Sequence, residues 1–69
     1  MEKDWVKVYS SSDVIKAEIV KSSLLENNIQ AVVINKRDSS LLVIGEAEVY
    51  VKKEDVLMAT HLIKNVLDA

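Results

Sequence analysis

Residues 5–9, WVKVY, alternate along the chain. Val6 and Val8 point to one side and Trp5, Lys7 and Tyr9 to the other, which is the period of a half-buried strand. The serines and aspartate of residues 10–13 follow with helix-start chemistry. Ser10 serves as cap, and Asp13 three residues on suits the positive end of the helix dipole. The pattern predicts a helix from there to about Asn28. Residues 29–34, IQAVVI, are short and β-branched and predict a second strand. Residues 47–51, AEVYV, alternate again, with Ala47, Val49 and Val51 on one face and Glu48 and Tyr50 on the other. Residues 52–69 read as a closing helix, and a chain without proline interrupts neither helix.

An internal echo supports this division. Residues 13–17, DVIKA, and 55–59, DVLMA, share one pattern, and at the same offset Val20 answers Leu62, Leu24 answers Val66 and Leu25 answers Leu67. Two strand-helix units therefore repeat. On a helical wheel Val56, Ala59, Leu62, Ile63, Val66 and Leu67 make one continuous apolar face, as a helix lying on a sheet requires. Strand, helix, strand, strand, helix is the ferredoxin-like order short of its last strand. The expected fold is α+β, a βαββα two-layer sandwich in one domain spanning residues 1–69. A three-stranded antiparallel sheet carries both helices on one face, and WVKVY is left as an open edge.

With the helices on one face, Val6, Val8, Ala31, Val33, Val49 and Val51 turn into the core. The opposite face is expected to carry Trp5, Tyr9, Tyr50, Val32 and Ile34, with Lys7 and Lys52 near its rim. So much exposed apolar surface would be unusual in a monomer. The connection at residues 35–46 adds to it, because Leu41, Leu42, Val43 and Ile44 put four aliphatic side chains in a row within an otherwise polar stretch. That segment either lengthens a hairpin, covers the apolar face or meets another chain. Ile15 and Ile19 form a second stripe on the first helix, about 100° and 140° from Val14, and are a candidate helix-mediated contact.

Composition narrows the chemistry. Sixty-nine residues bury a thin core, and with no cysteine a disulfide cannot reinforce it, so association is the remaining staple. A net charge of −2, with no long basic run, argues against nucleic acid as partner. The charged start of the chain and the lack of any long apolar stretch predict a soluble, cytoplasmic protein that neither crosses nor binds a membrane. The single histidine, His61, falls on an outer helical face without a second histidine or a thiolate nearby in sequence, so no metal site is expected. Glu46 and Glu48 share a side of their strand and read as solubilising charges on an exposed hairpin rather than as an acid-base pair. Neither catalytic residues nor a cofactor are expected.

Trp5, Ala17 with Val20 and Leu24, residues 24–35 (LLENNIQAVVIN), Gly45 before AEVYV, and Ala59 with Leu62 and Ile63 together carry a resemblance. The chain resembles a family of small bacterial domains of unknown function described as putative prokaryotic signal-transducing proteins. Members typically have glycine where Asn28 stands, a position that asparagine also fills in left-handed backbone. The resemblance implies a fold similar to the subunit of PII-type nitrogen regulators, in which the loop between the second and third strands contacts target proteins. Residues 35–46 occupy that place here.

The expected function is a non-enzymatic regulatory or protein-interaction module, assembled with a second copy or another protein. Its contacts are assigned to Trp5, Tyr9, Ile15, Ile19, Leu41, Leu42, Val43, Ile44 and Tyr50. The alternative is a small-molecule sensor with its ligand at a subunit interface or against Trp5 and Tyr50.

Overall fold

The strand at Glu46–Lys52 (β3) lies at the centre of the sheet, between Trp5–Ser11 (β1) and Ala31–Lys36 (β2), and runs antiparallel to both. This computed structural model describes residues 4–36 and 46–68. The remaining elements are the helices Val14–Glu26 (α1) and Val56–Asp68 (α2), with a 3-10 turn at Lys53–Asp55 leading into α2. The order β1-β3-β2 is the ferredoxin-like arrangement without a fourth strand beside β1 among the described residues.

Alternation along β3 builds the interior. Ala47, Val49 and Val51 are fully buried and pack with Ala17, Val20 and Leu24 of α1 and with Ala59 and Ile63 of α2. Both helices therefore share one sheet face. The alanines of each helix stripe sit at zero exposure, which lets the helix backbones approach the strands. Ala31 and Val33 of β2, with Val8 of β1, border this core as expected.

One strand departs from simple alternation. Lys7 pairs with Tyr50 and Tyr9 pairs with Val49, so Val8 is an extra residue, a β-bulge. From Tyr9 onward the faces of β1 are exchanged, and Tyr9 lies with Val49 against the helix-covered core. The expectation that put Tyr9 on the open face beside Trp5 and Tyr50 is corrected here. A one-residue slip moves every later side chain to the other side of the sheet.

The helix boundaries also shift from the sequence reading. Pairing of Ser10 with Glu48 and of Ser11 with Ala47 prolongs β1, so Ser10 is not the cap. Asp13 caps instead, its Oδ1 accepting from the backbone N–H groups of Ile15 at 3.0 Å and Lys16 at 3.4 Å, while Ser11 Oγ accepts from Asp13 N–H. A carboxylate is the stronger acceptor beside the positive helix end. At its other end α1 stops at Glu26. Asn28 is left-handed, with φ 64°, and Asn28 N–H and Ile29 N–H donate to the carbonyls of Leu25 and Leu24. That is a Schellman closure, with buried Ile29 packed in the same core as Leu24. Ile29 thus closes the helix, and β2 begins at Ala31 rather than at residue 29. Leu25 and Leu67, expected in the core stripes, stand exposed. Each sits in the last turns of its helix and is rotated about 100° from a more buried neighbour in sequence.

Two substitutions measure these constraints by urea denaturation. Leu24→Ala is expected to cost about 2–5 kcal/mol, because it opens a cavity and removes the hydrophobic partner of Ile29. Asn28→Val should cost about 1–2 kcal/mol through its disfavoured left-handed backbone, and Asn28→Gly should cost nothing. Equal stability of Asn28→Val and Asn28→Gly would contradict the closure.

Candidate functional site

On the sheet face away from the helices, alternation and register bring together Trp5 and Lys52, Lys7 with Tyr50 and Val32, and Ser10 with Glu48 and Ile34. This set is less bare than its composition implies. Lys52 Nζ stands 5.2 Å from the centre of the Trp5 ring, a cation-π contact, and Trp5 is half-buried. Val32 is exposed, whereas Ile34 and Tyr50 are half-buried.

Glu48 is the most informative residue of this face. It is only 6% exposed, the one buried charged side chain among the described residues. Lys7 Nζ lies 3.5 Å from Oε2, and Tyr50 Oη donates to Oε1 at 2.9 Å. Glu46, two residues away, is exposed. The expectation that both glutamates solubilise a hairpin fails for Glu48, because β3 is the central strand and its neighbours enclose the carboxylate. Burial of a charge is tolerated only with partners of this kind. The hydrogen bond to Glu48, together with partial burial and the nearby negative charge, raises the Tyr50 phenol above its ordinary value of 10.0, while Lys7 pulls the other way.

The helix layer shows the opposite character. Val32 apart, every large hydrophobic side chain that stands exposed among the described residues belongs to α1 or α2. Ile15 is 70% exposed and Ile19 52%, on the side of α1 turned away from Ala17, Val20 and Leu24. They border an open groove of about 440 Å³ completed by Glu18, Ser22, Ser23 and Glu26 of α1 and Val66 of α2. With apolar residues on two sides, α1 has almost no net amphipathic direction, in contrast to α2.

Of the residues singled out from sequence, Trp5 and Tyr50 share the sheet face away from the helices, Ile15 and Ile19 share the helix groove, and Tyr9 joins the core. Leu41, Leu42, Val43 and Ile44 lie outside the described residues. The expected loop of residues 35–46 is also shorter than read, because Asn35 and Lys36 belong to β2 and Glu46 to β3. His61 is exposed, 3.5 Å from Asn65. Among the described residues no group of three or more histidine or acidic side chains is placed to hold a metal ion, and no helix is long and apolar enough to cross a membrane.

The family model described as putative prokaryotic signal transducing protein matches residues 5–66, from the start of β1 to the last turns of α2. The chain belongs to this family. No curated protein and no solved structure matches it. The family description places the protein in the area of signal transduction and leaves its ligand or partner open.

Sequence reasoning missed the contact of Lys7, Glu48 and Tyr50, and it missed Glu26 and Val66 as parts of the helix groove. The opposite charges and the alternate spacing of Glu48 and Tyr50 were visible. The register that brings Lys7 beside them was not.

The Tyr50 bond makes a pH prediction. A raised phenol value stabilises the fold fully below the ordinary value, and that contribution is lost as pH rises through the raised one. Stability should therefore fall in the alkaline window above pH 10, and less so in Tyr50→Phe. Difference absorbance between wild type and Tyr50→Phe should show a phenol titrating above 10.0, and Glu48→Gln should bring it back toward that value. An unchanged titration in Glu48→Gln would contradict the assignment.

Proposed function

We propose that the protein is a non-enzymatic signalling module that works by docking to other protein chains, with a second copy of itself as the first partner. The observation that carries this reading is the side of the sheet opposite the helices, which no element among the described residues covers and where the backbone edge of β1 adjoins a face holding Trp5, Tyr50, Val32 and Ile34. An unpaired strand edge is a template for further pairing. The bulge at Val8 and the Lys52 charge beside Trp5 restrain that tendency, as a reversible contact needs.

Size helps to decide how the contact is made. Three strands of this length offer a flat face of roughly 300 Å². A stable interface uses about 800 Å² on each partner. The sheet face alone is too small, so the reading recruits the β1 edge and the aliphatic residues 41–44 as well. The small-molecule alternative is less favoured, since the groove on the helix layer opens widely to solvent.

Light scattering at micromolar concentration is expected to give twice the monomer mass. Val32→Lys, which puts a charge at an already exposed position, should shift the equilibrium toward monomer without unfolding the chain, and Leu42→Asp with Val43→Asp should do the same. A strict monomer in wild type, or a dimer untouched by all three changes, would contradict the reading.

A further inference from the structure

The groove on the helix layer lies on the far side of the molecule from the sheet face, and its contents point to a different partner. Its floor is Ile15, Ile19 and Val66, and its small side chains, Ser22 and Ser23, allow another backbone to come close. Ile15 and Ile19 are one helical turn apart, so the apolar strip runs along α1 rather than across it. Such a strip fits a rod lying along it, and α1 is about 20 Å long.

The charges select the rod. The titratable groups lining the groove are both acidic, Glu18 at one end and Glu26 at the other. Lys21 pairs with Glu18 at 3.6 Å but does not line the groove. At the Glu26 end the last turn of α1 contains no basic side chain, so the negative end of the helix dipole adds to the carboxylate. This potential disfavours an anionic lipid surface or a nucleic acid. It also disfavours a second copy. Antiparallel pairing of two α1 helices about Ser22 would set Glu18 of each against Glu26 of the other, a like-charge contact.

We propose that this groove binds an amphipathic helix of a partner protein, with leucine or isoleucine anchors one turn apart set between Ile15, Ile19 and Val66, and lysine or arginine beside Glu18 and Glu26. The mode is helix-in-groove recognition. With the sheet side docking a copy of the chain, the protein then has two separate contact surfaces. The groove's role stands whether or not the sheet face self-associates.

The test uses a labelled synthetic helix of about 14 residues, long enough to span α1, with leucine at i, i+4 and i+7 and lysine on the flanks. Fluorescence anisotropy should show saturable binding to the full chain. Ile15→Ser with Ile19→Ser should weaken it by about tenfold or more. Glu18→Lys with Glu26→Lys should weaken it similarly and flatten its salt dependence. All four positions are exposed, so the variants are expected to keep the fold, which circular dichroism checks. A scrambled peptide of the same composition, and one with glutamate for lysine, should not bind. Failure of the leucine-lysine helix to bind, equal binding of the scrambled peptide, or indifference to the isoleucine changes would overturn the proposal. So would a fall in mass by light scattering on Ile15→Ser with Ile19→Ser, which would assign the groove to a second copy.

Discussion

The structure depends on the burial of one face of its central strand. Val49 and Val51 are fully enclosed between two neighbouring strands and beneath Val20, Leu24 and Ala59, so β3 is the element to which every other one is attached. A domain this small has little else to draw on, since it buries only about 60% of the surface that its unfolded chain exposes. Both helices are committed to the same side. What remains is a molecule with a well-packed middle and two outer surfaces of very different chemistry.

Those surfaces follow from how each layer spends its side chains. The sheet's outer face combines apolar residues with an enclosed polar contact, in which Lys7 and Tyr50 hold the Glu48 carboxylate. Replacing either partner would leave a charge less well satisfied in a poorly hydrated place, so the arrangement fixes the pairing of β1 with β3 more than it adds net stability. The helix layer instead leaves Ile15 and Ile19 in solvent with carboxylates alongside. The docking role proposed above rests on these two surfaces, and the family description adds only the area of signal transduction.

Much of the fold could be read from residue order. The alternation of residues 47–51, the repeat of D-V-aliphatic-x-A, and Asn28 at the helix end each reflect a local constraint that the folded chain obeys. Apart from the start of β2, which the local closure of α1 at Ile29 delays, the main misreadings share one cause, the influence of partners distant in sequence. A bulge cannot be seen in WVKVY because it is a property of the pairing with β3, and it turned Tyr9 inward. Pairing with Glu48 and Ala47 likewise drew Ser10 and Ser11 into the strand and left the cap to Asp13. For the surfaces, the wheel located the Ile15 and Ile19 stripe, but the approach of Val66 from the other helix needed the tertiary structure.

Hydrogen exchange of the backbone amides in β1, followed from dilute to concentrated protein, tests most directly whether the sheet side away from the helices is a docking surface. Pairing with another chain would slow amides of β1 that do not bond to β3 as concentration rises, with β2 and the helix groove unaffected. If every β1 amide exchanges at a rate independent of concentration, the edge stands unpaired in solution and the account of a self-docking module is wrong.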